Sequence, residues 1–183
     1  MTTPRNVVLT NQIVKFDLER KMYSNFPTHG SRPMPRKDFG AAKLESKVFI
    51  CGGISNGFEC LRDFVLDMET SQWSELPSLG LKRGAKGLSL TALPPHQIFC
   101  LGGGGNPGYV SDKGRIFNLR DATWTEEQSL PKEFCGEDGG LWHHRAFSVE
   151  KENQVTKIIC IGGFIDELWS NHPSHILEFD IPS

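Results

Sequence analysis

VFICGG at 48–53, IFCLGG at 98–103 and IICIGG at 158–163 are three copies of one block, an apolar run closed by Gly-Gly. A second block trails the first two copies: an apolar strand bearing Asp or Asn with an aromatic six positions later, as in FVLDMETSQW at 64–73 and IFNLRDATW at 116–124. IVKFDLERKMY at 13–23 carries this second block alone, and HILEFDIPS at 175–183 begins it and stops. Asp17 lies 50 residues before Asp67, and Asp67 lies 51 before Asn118. A period near 50 filled with strand-like segments predicts a repetitive all-β architecture. The interval is 29 residues from Tyr23 to Gly52 and from Trp73 to Gly102, but 38 from Trp124 to Gly162, so the third carries an insertion.

Composition agrees with a single β domain. The 183 residues include 19 Gly and 11 Pro, with 10% aromatics, enough for one sizeable core and little more. The formal charge of −2 comes from mixed basic and acidic residues, so no cationic stripe points to nucleic acid or to an anionic membrane. No apolar run reaches membrane-spanning length, and MTTPRNVVLT lacks the features of a signal peptide. A cytoplasmic protein is therefore expected. Of the five cysteines, Cys51, Cys100 and Cys160 each sit in the apolar run before a Gly-Gly, which suits buried strand thiols better than disulfides.

Within 40–80, alternation and punctuation predict four strands. One lies near 40–44, a buried one at 48–51 ends at Gly52 and Gly53, a third is FVLDM, and a fourth starts at Trp73. Each recurring residue has a mechanical reason. The pairs Gly52-Gly53, Gly102-Gly103 and Gly162-Gly163 permit positive φ and close backbone approach. Asp67 and Asn118 suit the tight turn that follows a strand, where a short polar side chain bonds nearby backbone N–H groups. Trp73 and Trp124 offer large apolar area for packing neighbouring units together.

Repeated over nearly the whole chain, Gly-Gly followed by a strand with Asp and then Trp resembles the kelch repeat of β-propellers. The resemblance implies four-stranded blades in units of about 1–35 (partial), 36–80, 81–135 and 136–183 (incomplete). It departs from the pattern at Asn118 and Tyr23, which stand for Asp and Trp. So few units leave the ring short. The strand around 22–26 would complete the last unit in a small ring, two arcs would pair by self-association, or the chain would be a fragment of a longer kelch protein, as its mid-unit start and stop favour.

The resemblance also implies a protein-interaction module, binding a protein or an acidic peptide through loops and a funnel of arginines. Arg36, Arg83 and Arg145 each precede a small residue and an apolar strand, and a guanidinium fork grips carboxylates bidentately. Trp142, in the insertion, is a candidate partner anchor. The alternative is a propeller enzyme acting on a small molecule at the central cavity, but no catalytic motif is present: Ser, His and Asp show no triad arrangement, and there is no Gly-x-Ser-x-Gly elbow. His143, His144, His172 and His175, with Cys135 and Asp138, occur outside any metal-binding frame, so no metal or other cofactor is expected. Gly103 to Gly108 matches G-x-G-x-x-G but runs into strand-like YVSDKGRIFN, and is read as a turn.

Overall fold

The computed structural model describes residues 8–78, 86–105, 109–125, 128–132, 139–151, 154–164 and 176–180. Nineteen strands in six sheets are found among the described residues. An N-terminal ribbon pairs β1 (Val14–Asp17) with β2 (Met22–Asn25). The first large sheet runs β3 (His29–Gly30), β9 (Gln72–Glu75), β8 (Phe64–Asp67), β5 (Lys47–Cys51), β4 (Gly40–Leu44), antiparallel except for the short β3–β9 pair. The second runs β10 (Ser89–Leu93), β11 (Gln97–Leu101), β14 (Lys113–Asn118), with β15 (Thr123–Trp124) and β16 (Gln128–Ser129) both paired to β14. The third comprises β17 (Arg145–Lys151), β18 (Gln154–Ile161) and β19 (Ile176–Asp180). Two small ribbons, β6 (Ile54–Ser55) with β7 (Phe58–Glu59) and β12 (Gly104–Gly105) with β13 (Tyr109–Val110), follow the first two Gly-Gly pairs.

Period-two alternation gives each large sheet two apolar faces, and these stack in series. Leu44, Phe49 and Cys51 of the first sheet pack on Leu90, Ile98, Cys100 and Phe117 of the second. The opposite face of the second sheet, with Leu93 and Leu101, packs on Ile158 and Cys160 of the third. On the far side of the first sheet, Ile50, Phe64, Leu66 and Trp73 are covered by Ile13 and Phe26, which flank the ribbon. The four described cysteines are unpaired and buried, and burial raises their thiol pKa values, that of Cys160 to about 12.

The all-β expectation holds, but the propeller does not. The sheets have two to five strands, and the principal contacts run from β4 to β10 and from β10 to β17 without returning to the start among the described residues. This is an open series of small sheets, not a radial kelch array of blades around a cavity. The physical reason lies in the range of the motifs. Each Gly-Gly, Asp and Trp acts within its own sheet or on the next one, so the repeat specifies local meanders and their stacking while carrying nothing that closes a ring.

At that local level the side chains behave as the sequence suggests. All six glycines of the three pairs have positive φ, from 65° at Gly52 to 111° at Gly103. Asp67 Oδ1 accepts the amides of Glu69 and Thr70 at 3.0 Å, Asp17 Oδ1 those of Glu19 and Arg20, and Asn118 Oδ1 that of Arg120. The two tryptophans differ from each other. Trp73 is buried and donates Nε1–H to Thr28 Oγ1 at 3.1 Å, whereas Trp124 is part-exposed and donates to the Pro77 carbonyl at 3.1 Å. In the Gly-rich run after the second Gly-Gly pair, Gly104 and Gly105 form β12, paired to β13, and the chain goes on as the strand β14; residues 106–108, where the turn was expected, lie outside the described residues.

Removing Trp73 empties the cluster beneath the N-terminal segment and orphans Thr28. Trp73→Ala is expected to cost about 3–5 kcal/mol in urea denaturation, and Trp124→Ala clearly less. Equal losses would contradict the difference in burial.

Candidate functional site

The strands β4, β10 and β17 begin beside one another, and their starts are aligned by the backbone. The residues just before them, Asp38, Gly87 and His143, all hold left-handed φ of 57°, 68° and 57°. Gly87 N–H donates to the Asp38 carbonyl at 2.7 Å, and His143 N–H donates to the Gly87 carbonyl at 2.7 Å. One residue earlier, Lys37, Lys86 and Trp142 form equivalent antiparallel bridges to Ile54, Gly104 and Phe164, each just past a Gly-Gly. This double seam was not anticipated from the sequence. Its signal was present in the recurrence of a residue tolerant of positive φ (Asp, Gly, His) before each strand.

Where the three strands open, a groove of about 290 Å³ is lined by Phe39, Gly40, Ser89, Leu90, Arg145 and Phe147, among others. Gly40 keeps one wall low, since a Cβ there would lie 2.4 Å from Leu88 Cδ1. Arg145 is exposed at the rim, and Phe147 presents more than half of its surface. The Arg145 guanidinium donates from Nη1 to the His144 carbonyl at 3.1 Å, and among the described residues no carboxylate pairs with it.

Beneath the groove, His144 is fully buried, with Nε2 2.6 Å from Ser89 Oγ and Nδ1 without a partner. It is held between the Gly-Gly pairs of two units: a Cβ on Gly102 would come within 3.0 Å of its Cε1, and one on Gly163 within 2.9 Å of its Cβ. Burial lowers its pKa from 6.5 to about 4, helped by the charge of Arg145. A Ser–His contact invites a nucleophilic reading, but catalysis needs the second ring nitrogen oriented by a third group, and here Nδ1 faces none. The contact ties β10 to the start of β17.

The two described arginines of the predicted three, Arg36 and Arg145, do not converge. Arg36 is buried, donating from Nη1 to the carbonyls of Gly52 at 2.8 Å and Arg62 at 3.0 Å, with its guanidinium 5.2 Å from the Phe64 ring. It is a strut that satisfies turn carbonyls. Arg83 lies outside the described residues. Arg145 is exposed and lines the groove. Trp142 is buried rather than offered as an anchor: it stacks with His143 and Phe164, and Lys86 Nζ lies 4.9 Å from its ring.

Around Arg36 a second cavity of about 410 Å³ includes Arg32, Arg62 and Phe64. Its arginines are compromised as an anion site, because Arg62 pairs with Glu75 at 3.4 Å and Glu59 lies in the wall. No group of three His, Cys, Asp or Glu side chains able to hold a metal occurs among the described residues. Cys135, Asp138, His172 and His175 lie outside them. No described helix is long and apolar enough to cross a membrane. Compared with known protein families and with curated proteins, the chain matches none.

The buried imidazole makes stability depend on pH. Its folded pKa, about 4, lies below the unfolded 6.5, so the unfolded chain binds the extra proton. The full contribution is present above pH 6.5 and declines as pH falls towards 4, by on the order of 3 kcal/mol. Urea denaturation at pH 7 and pH 4 is expected to show this loss in the native chain and a smaller one in His144→Gln, which keeps a polar partner for Ser89 but does not titrate. Identical acid losses would remove His144 as the cause.

Proposed function

We propose that this chain is an all-β binding domain whose groove between β4, β10 and β17 takes an extended acidic segment of a protein or peptide. The observation that carries the reading is Arg145, an exposed guanidinium on the rim of a groove lined mainly by apolar side chains, without a carboxylate partner among the described residues. A fixed arginine fork beside Phe39 and Phe147 suits a ligand that places a carboxylate next to an apolar side chain. The reading replaces both earlier ones, the kelch-type interaction module and the propeller enzyme, since each needed a ring and a central cavity that the open series of sheets lacks. Cytoplasmic residence belongs to the same proposal, supported by four buried, unpaired thiols, a state that a reducing compartment preserves.

The test is fluorescence anisotropy with a labelled peptide of alternating glutamate and leucine, against its lysine–leucine counterpart. The acidic peptide alone is expected to bind, with affinity falling about tenfold or more in Arg145→Ala and with rising salt. Melting temperature should be unchanged in Arg145→Ala but lowered in Arg36→Ala, which orphans buried carbonyls. Equal binding of the two peptides, or an acidic peptide indifferent to Arg145, would overturn the assignment.

A further inference from the structure

The series of sheets stacks by one rule: the face of a sheet that includes the residue before Gly-Gly packs on the opposite face of the next sheet. That residue is Cys51 in the first sheet, 1% exposed, and Leu101 in the second, 0% exposed. In the third it is Ile161, 45% exposed, and beside it on the same face stand Phe147 at 54% and Val149 at 36%. The third sheet thus repeats the apolar face that its predecessors bury, with no sheet against it among the described residues.

The other end of the series presents the complement. The ribbon β1–β2 has the register of β8–β9: Phe16 pairs with Tyr23 as Leu66 pairs with Trp73, and Val14 stands where Phe64 does. Phe64, Leu66 and Trp73 are at most 6% exposed, whereas Val14, Phe16 and Tyr23 are 55%, 43% and 75% exposed. The rings of Phe16 and Tyr23 lie 4.7 Å apart, a preformed aromatic surface. One chain therefore carries both halves of its own stacking contact, unused, at opposite ends. Exposed apolar faces of this kind mark interaction sites.

We infer that the occupant of each face is a second copy of this chain: the Phe147–Val149–Ile161 face of one copy stacks on the Val14–Phe16–Tyr23 ribbon of another. The contact is heterologous, but because each copy supplies one face and one ribbon, two copies exchanging both make a closed symmetric pair. The stacking face shares Phe147 with the groove, but Val149, Ile161 and the ribbon residues do not line it, so substitutions there test the stacking apart from the acidic-segment reading.

Light scattering after size exclusion, over about a hundredfold range of concentration, tests it. The native chain is expected to approach twice its single-chain mass. Val149→Asp and Tyr23→Asp, each confirmed as folded by circular dichroism, should both remain at single-chain mass. Mixed together they should regain the doubled mass, because the intact ribbon of the first meets the intact face of the second. A native chain that stays single throughout, or a pair insensitive to either substitution, would overturn the proposal. Loss at only one of the two ends would do so as well, since it would mean that something other than the complementary face covers the other. The masses are measured without peptide, so the outcome of the Arg145 binding test does not enter them.

Discussion

Close approach of backbone to backbone at the Gly-Gly pairs is the constraint on which the rest of this structure depends. A Cβ on Gly53 would lie 2.7 Å from the Lys37 carbonyl oxygen, one on Gly102 1.9 Å from that of Leu141, and one on Gly163 2.7 Å from that of Trp142. Only glycine combines this absence of bulk with the left-handed φ the positions require. Because the segments meet so closely, the bridges at Lys37 and Trp142 can form, and after these and the matching bridge at Lys86 the next residues turn left-handed to start β4, β10 and β17 side by side. The groove is the space left where those starts diverge.

Local structure was legible in the sequence, and assembly was not. Apolar runs ending in Gly-Gly announced the buried strands, and the aspartates announced their turns, because those effects act over a few residues. The kelch resemblance failed at the next level. A motif that repeats faithfully within and between neighbouring sheets is compatible with an open series as well as with a ring, and closure depends on contacts between distant ends that no local pattern records. The arginines show the same limit. Arg36 and Arg145 both stand near a strand start, yet Arg36 lies four positions before Gly40 with its side chain turned inward onto the carbonyls of Gly52 and Arg62, while Arg145 opens β17 and stays at the rim. His144 was noted only as a possible metal ligand; its burial against Ser89 arises from a neighbouring unit 55 residues away.

Polar groups in this fold divide into those consumed by the architecture and those left over. Arg36, Asp67, Thr28 and Ser89 each satisfy a backbone group or a partner that would otherwise be stranded, so their chemistry is spent on structure. Arg145 is left over in this sense, as are the apolar faces at the two ends of the series. It is from this surplus that the two proposals start, since a domain gains little in stability from a cation held at a groove rim or from aromatic rings held in water.

The buried thiols have a consequence of another kind. Cys51 and Cys100 belong to the contact between the first and second sheets, and Cys160 to that between the second and third. Their raised pKa values keep them protonated and unreactive while those contacts are shut. Chemical attack must wait for the sheets to part, so the pace at which each sulfur is modified is a clock for the opening of its own interface, and the chain carries a separate timer in each of its two seams.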